Sequence, residues 1–233
     1  SVFEKLPVAG GMMAVGIPAF RLPRDILNAE IRCIEKLGVE IKTGVAFGQD
    51  ITLEGLKSRG FQVVFLATGL HGSRKLGVVG EDLSGVIDGV SFLRDFALNK
   101  PVKLGSKVIV VGGGNVAMDV ALSARRMGCH EVTIVCLETR EEMPAWEFEI
   151  EEAIEAGVEI VNCFGPNRFI EKNGRFAGIE FKRCTCVFDE ECNFNPQYDE
   201  NDLNRLDADT VIIAIGQTAM PDIAEAEQIA HRP

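Results

Sequence analysis

Two stretches carry residue types at a spacing that can do chemistry. In Lys107-Val-Ile-Val-Val-Gly-Gly-Gly-Asn-Val-Ala-Met-Asp119, five residues suit a buried strand, three glycines follow, and a helical pattern begins. Gly112-x-Gly114-x-x-Ala117 has the spacing with which a strand, a turn and a helix hold a dinucleotide pyrophosphate. Gly112 permits the tight turn out of the strand. Gly114, without a Cβ, lets phosphate approach the backbone, and Ala117 lets helix and strand pack closely. The free N–H groups and positive dipole end of the helix then face the anion. Gly113 and Val116 complete the loop. Asn115, at its mouth, either caps the helix or reaches phosphate through its side chain. The competing reading is a glycine-rich turn that binds no nucleotide.

The same spacing predicts a second strand ending in an acid about 20 residues later. Glu131-Val-Thr-Ile-Val-Cys-Leu-Glu138 is strand-like, and Glu138 lies 21 residues past Ala117. A carboxylate there accepts both ribose hydroxyls of NAD and repels the 2′-phosphate of NADP. Thr139 and Arg140 follow it, and Arg140 is a cation that could still meet a phosphate.

The elements that must position these residues read as α/β. A helix starts after Pro23, with an apolar face of Ile26, Ala29, Ile31, Cys33, Ile34 and Leu37. Val39–Thr43 reads as a short strand. Asp50-Ile-Thr-Leu-Glu54 opens a short helix ending near Arg59-Gly60, with Thr52 as an alternative cap. The unbroken apolar run Phe61–Gly69 reads as a buried strand, and His71–Asp88, rich in glycine, as a connection. A helix over Gly89–Asn99 precedes the glycine motif, and Asn115–Met127 is the crossover helix with Val116, Val120, Ala121, Ala124 and Met127 inward. Trp146–Ala156 is a helix rich in Glu, and Gly157–Val161 a third parallel strand. Asn173-Gly174 between extended flanks marks a hairpin, the polar stretch Val187–Asp207 a loop excursion, and Ala208–Gly216 the last buried strand. Val63-Val-Phe-Leu-Ala-Thr-Gly69 and Val211-Ile-Ile-Ala-Ile-Gly216 both end Ala-x-Gly, which suggests two dinucleotide-binding units, one interrupted by the other.

Bulk properties bound the function. In 233 residues, hydrophobic content is 46% and charged content 25%, ordinary for a globular protein. A net charge of −11 argues against nonspecific nucleic-acid binding and against adhesion to anionic membranes. There is no apolar run of transmembrane length and no visible signal peptide. Seven cysteines without disulfide-scaffold spacing fit a reducing cytoplasm. The chain opens on Ser1-Val-Phe-Glu4 with no initiator Met, as an internal fragment of a longer protein would.

Taken together, Gly10-Gly11, Gly16-Ile-Pro18, Arg21-Leu-Pro23, Ala67-Thr-Gly69, Gly112–Asp119, Arg140-Glu-Glu-Met-Pro-Ala145 and Ala214-Ile-Gly-Gln217 resemble the glutamate synthase small (beta) subunit family. The flavin/NADPH part of dihydropyrimidine dehydrogenase is similar. The resemblance implies a flavoprotein with two dinucleotide-binding domains. NAD(P)H would give a hydride to FAD, and electrons would leave to an iron–sulfur or large-subunit partner. It implies a partial FAD-binding-type domain over 1–88, a Rossmann-like NAD(P)-binding domain over 89–217, and a tail over 218–233 returning towards the first. Glu4 would bind the FAD ribose, Gly10, Gly11 and Arg21 would lie along the FAD, and Val45 and Phe47 near its adenine. Gly112–Ala117, Glu138, Thr139, Arg140, Ala214, Ile215 and Gly216 would line the nicotinamide dinucleotide. The family's FAD fingerprint before Glu4 is absent, so this chain alone is expected to bind FAD poorly, to be inactive, and to self-associate through exposed apolar surface. Members that use NADPH carry Arg-Arg where this chain has Leu137-Glu138, which favours NAD(H) over NADP(H). The reading of another class is a non-catalytic dinucleotide-sensing or subunit-docking module.

No side chain is expected to be catalytic, because hydride transfer between two cofactors needs orientation rather than a protein nucleophile. Cys184, Cys186 and Cys192 lack zinc spacing and read as packing or surface thiols, with Cys136 in the core. His71, His130 and His231 stand in no catalytic arrangement. Glu147, Glu149, Glu151, Glu152 and Glu155 either pair with a basic partner or, the reading preferred, form a solvated helix face. Trp146 either covers the cofactor or anchors its helix against the sheet.

Overall fold

The computed structural model describes residues 1–219. In chain order the elements are β1 (Val2–Glu4), α1 (Gly11–Val15), α2 (Arg24–Lys36), β2 (Ile41–Thr43), α3 (Leu53–Ser58), β3 (Gly72–Ser73), β4 (Val86–Asp88), α4 (Gly89–Ala97) and β5 (Lys107–Val111). Then come α5 (Asn115–Arg126), β6 (Glu131–Val135), α6 (Glu147–Glu155), β7 (Glu159–Val161), β8 (Phe164–Lys172), β9 (Arg175–Phe188), β10 (Phe194–Asp207), β11 (Thr210–Ile213) and β12 (Gln217–Thr218). The chain divides into two compact units, Ser73–Gly216 and one formed by Ser1–Gly72 with the residues from Gln217. The division after Gly72 differs from the expected boundary at 88, because Val86–Asp88 is a strand of the larger unit. Of the tail over 218–233, and of His231 within it, all but Thr218 and Ala219 lie outside the described residues.

The larger unit is built on a five-stranded sheet in the order β4-β11-β5-β6-β7. Every pairing in it is parallel. β5 is central: Val110 lies between Ile134 on β6 and Ile212 on β11. Parallel strands with near-continuous apolar sequence need cover on both faces, and both are covered. Helices α4, α5 and α6 pack side by side in one layer. On the other side a three-stranded antiparallel sheet, β10-β9-β8, closes a core of Ile109, Val111, Val135, Phe169, Phe176, Ile179, Phe181, Val211 and Ile213. The odd-numbered residues of β5 and β11 point into that core, so Val108 and Val110 point to the helices, as strand alternation requires. α5 is buried along most of its length from Ala117 to Ala124, although Met127 at its end is 38% exposed rather than inward.

The hairpin turn at Asn173 (φ 56°) and Gly174 (φ 75°) has both central residues left-handed, the type I′ geometry that Asn-Gly favours. The stretch expected as a polar loop is instead strand for 14 residues in β10, antiparallel to β9. Its pairing is carried by charge and stacking rather than by an apolar face. Lys182 Nζ donates to Glu200 at 2.9 Å and lies 4.5 Å from the Tyr198 ring centre, and Arg183 pairs with Asp202 at 3.7 Å. The glycine-rich connection is also more than a connection, since β4 pairs Val86 with Val211 at the sheet edge.

In the smaller unit β1 and β2 are parallel, pairing Glu4 with Thr43. α3 takes the alternative cap, Thr52, whose Oγ1 accepts from Gly55 N–H at 3.1 Å. α2 buries only Leu27, while Ile26, Ile34 and Leu37 of the expected apolar face are exposed. The expected strand over Phe61–Gly69 does not form: no described strand pairs with it, and Val63 and Phe65 are 83% and 89% exposed. An apolar run becomes a buried strand only when neighbours supply both its hydrogen bonds and its cover.

Candidate functional site

In the larger unit, β5 leads to β6 on one side, and β11 and β4 lie on the other. The C-terminal ends of β5 and β11 therefore flank the point where the strand order reverses, the place where such sheets hold ligands. Gly112 follows β5 and Ala214 follows β11, each tied across the sheet: Gly112 N–H to Val135 O at 2.9 Å and Ala214 N–H to Val111 O at 2.8 Å. Gly112 has φ +138°, and a Cβ there would run into the Ala214 carbonyl. A Cβ on Gly113 would stand 2.8 Å from Glu138 Oε2 and 3.1 Å from Cys136 Cβ, so a side chain there would push the Glu138 carboxylate aside. Gly114 faces open space, its nearest neighbour being Pro144 Cγ at 4.0 Å, and it occupies the cap position of α5 with no side-chain cap. The result is a bare cradle, with the N-terminal end of a 12-residue helix that no side chain caps at its floor and a carboxylate at its wall.

Asn115 does not cap its own helix. Its Oδ1 accepts from Trp146 N–H at 3.0 Å, while Gly113 O accepts from Ala145 N–H at 3.2 Å. Two bonds thus fix the start of α6 to the glycine loop. Trp146 itself is 65% exposed, so its backbone, not its ring, anchors the helix. Val116 is half-buried and Ala117 fully buried.

Glu138 is set by its backbone: its carbonyl accepts from Cys163 N–H and from Asn162 Nδ2, both at 3.1 Å. Before it, Cys136 is 2% exposed, and burial together with the Glu138 charge pushes its thiol up to about 12. Leu137 packs toward Gly165, where a Cβ would stand 2.7 Å from Leu137 Cδ2. Beyond it, Glu142 accepts from the Thr139 hydroxyl at 3.1 Å, and Arg140 makes a two-pronged pair with Glu147. Glu147 was expected to be merely solvated, and Glu149, from the same run, is 6% exposed.

Ala214 and Ile215 are half-buried, and Gly216 (φ +120°) accepts from Arg74 N–H at 3.1 Å. Two residues here went unread in the sequence. Asp88 ends β4 and caps α4, accepting from Ser91 N–H and Ser73 Oγ, both at 2.7 Å. Gly89 follows, with Ile213 O 3.1 Å and Ala214 Cβ 3.4 Å from where its Cβ would be. Asp88-x-x-Ser91 was the available signal, a helix-start pattern. Among the described residues no group of His, Cys, Asp and Glu converges as a metal site would need.

The family model for pyridine nucleotide-disulphide oxidoreductases matches residues 25–233. The chain belongs to that family. It is 47% identical over 186 residues to the NADP(+)-dependent formate dehydrogenase subunit beta of Moorella thermoacetica, covering 78% of this chain and 26% of that one. It is 38% identical over 184 residues to the NAD-dependent dihydropyrimidine dehydrogenase subunit PreT of Escherichia coli, covering 76% and 44%. The chain thus spans less than half the length of either relative. Mycobacterium tuberculosis FprA, solved in complex with NADPH, shares the fold with a TM-score of 0.77 at 18% identity, over 94% of this chain and 64% of that one.

The smaller unit carries the residues expected along FAD. Glu4 ends β1, its Oε1 accepts from Leu6 N–H at 2.7 Å, and its carbonyl accepts from Val45 N–H at 2.9 Å. Gly10 (φ +111°) and Gly11 (φ +53°) turn the chain into α1, and a Cβ on Gly10 would stand 3.2 Å from Leu27 Cδ2. Arg21 and Phe47 are half-buried. None of the described helices is long and apolar enough to cross a membrane.

Proposed function

We propose that this chain binds a nicotinamide dinucleotide on its larger unit, as part of an NAD(P)H-dependent flavin oxidoreductase. Its pyrophosphate would lie over Gly112–Ala117, its adenosine ribose at Glu138, and its nicotinamide half along Ala214–Gly216. The bare cradle walled by the Glu138 carboxylate carries this reading. FAD, when bound, supplies the hydride acceptor. In this chain Glu4 would hold its ribose, Val45 and Phe47 would flank its adenine, and Gly10, Gly11 and Arg21 would lie along it. From that flavin, electrons would pass to an iron–sulfur or large-subunit partner; the relatives' names as subunits support a partner subunit. Seven free thiols support a cytoplasmic setting.

NAD(H) is favoured over NADP(H), because Glu138 offers a carboxylate where a 2′-phosphate would stand. The relatives named above include one of each preference, so the choice rests on this chain's residues. Titration calorimetry of the wild type and Glu138→Ala with NADH and NADPH tests it. Tighter NADH binding that the substitution weakens about tenfold or more, as loss of a charged hydrogen-bond acceptor should, supports the reading. A preference for NADPH overturns the NAD assignment, and binding of neither overturns the site.

A further inference from the structure

After β6, the Thr139 and Arg140 side chains, which could greet a 2′-phosphate, each donate to a carboxylate. Thr139 donates from its hydroxyl to Glu142 Oε2 at 3.1 Å, and its N–H points to the same oxygen at 3.4 Å. Arg140 Nη1 donates to Glu147 Oε2 at 3.0 Å, and Nη2 to Glu147 Oε1, so the two-pronged face of the planar guanidinium is turned to one carboxylate in fork geometry. Glu147 is not a loosely placed partner. It opens α6, where a negative charge suits the helix dipole. The two bonds from Trp146 N–H to Asn115 and from Ala145 N–H to Gly113 hold it in register with the glycine loop.

We propose that Glu147 is a specificity-determining positioning residue: by occupying Arg140, it denies the loop a cation for the 2′-phosphate of NADP(H). Selectivity against the phosphate is then shared between repulsion at Glu138 and sequestration at Arg140, with Glu142 answering Thr139. The inference rests on the dinucleotide reading of the same site. It also explains how Arg140 can sit two residues past the ribose acid without recruiting phosphate. Arg140 is shielded by an exposed pair, side chains 34% and 66% accessible, so the pair itself adds little stability. Its removal should change binding more than folding.

The test uses adenosine 2′,5′-bisphosphate and ADP as probes, which differ at the 2′-phosphate and need no flavin. Both are titrated calorimetrically into the wild type, Glu147→Ala, Arg140→Gln and the double variant, with circular dichroism checking the fold. Glu147→Ala should raise affinity for the bisphosphate about two- to fivefold relative to ADP, the most that releasing an arginine from an exposed pair can return. The double variant should lose that gain. An unchanged ratio in Glu147→Ala overturns the inference. A gain that persists without Arg140 also overturns it, because the effect would then be bulk charge alone. If none of the four proteins binds ADP, the dinucleotide site itself is refuted and this inference falls with it.

Discussion

The carbonyl of Ala214 occupies the space a Cβ on Gly112 would need. These residues lie far apart in sequence and end neighbouring central strands, so the glycine serves the sheet as well as the turn. Gly112→Ala should therefore destabilise the protein, not merely weaken its ligand. The left-handed φ alone costs about 1–3 kcal/mol for a residue with a side chain, and relieving the clash would have to part β5 from β11. Urea denaturation should show the loss without any ligand present. An unchanged midpoint would mean that the strand ends yield easily.

Gly113 sets up the opposite expectation. Its Cβ would meet the carboxylate end of Glu138 at 2.8 Å, and that end can swing away. Gly113→Ala should cost about 1 kcal/mol of unfolding free energy or less, the Cys136 Cβ at 3.1 Å having to give by a few tenths of an ångström, and still weaken NADH by displacing the ribose acid. Combined with Glu138→Ala, the two effects should not add, since both remove one interaction. Calorimetry on the four-protein cycle reads this directly, and full additivity would separate Gly113 from Glu138.

The parts of the fold that sequence made legible are those whose partners lie nearby. The fingerprint, its acid, the crossover helix and the Asn173-Gly174 turn all follow from spacings of a few residues to about twenty. β4 was missed because three residues reveal nothing until Val86 meets Val211. β10 was missed because its pairing uses Glu200, Asp202 and Tyr198 against Lys182 and Arg183, a pattern that alternation of apolar residues does not record. Phe61–Gly69 failed in the other direction, with strong strand composition but no described partner. Around the glycine loop, an acid at the end of the second strand was visible in advance in Glu138, which lies beside Gly113. Glu147 was not, because its meaning depends on where α6 is bolted to the glycine loop.

That exposed run makes its own prediction. Since Val63 and Phe65 are over four-fifths exposed, replacing both with Ser should leave the unfolding midpoint of this chain within about 0.5 kcal/mol. A loss of several kcal/mol would mean that the segment is buried in solution, by self-association or otherwise. Repeating the measurement over a range of protein concentrations tells those cases apart.

Thiol chemistry gives a sharper contrast. Cys136 is buried, and burial and the Glu138 charge push its thiol up to about 12, whereas Cys33, Cys186 and Cys192 are exposed. The thiolate is the reactive form. Iodoacetamide at pH 8, followed by peptide mass spectrometry, should label the three exposed cysteines and spare Cys136 until denaturant is added. Native labelling of Cys136 at a comparable rate would contradict the buried strand end beside Glu138.

Asp88 should leave a signature in the pH dependence of stability. Burial is the largest single influence and opposes its ionisation. The hydrogen bonds from the Ser91 side chain and N–H and from Ser73, with the Arg94 charge, together outweigh it and hold the carboxyl below the usual aspartate range. A carboxyl lowered in the folded state stabilises above its unfolded pKa, and that contribution disappears as pH falls through the folded one. Asp88→Asn keeps a side chain able to cap α4 but has no charge to lose. The wild type should therefore exceed Asp88→Asn in stability by a constant margin from neutral pH down to about 4. Below that the two should converge. Thermal melts at stepped pH would show it, and a margin unchanged through pH 2–4 would mean that the carboxylate at the end of β4 draws no stability from its charge.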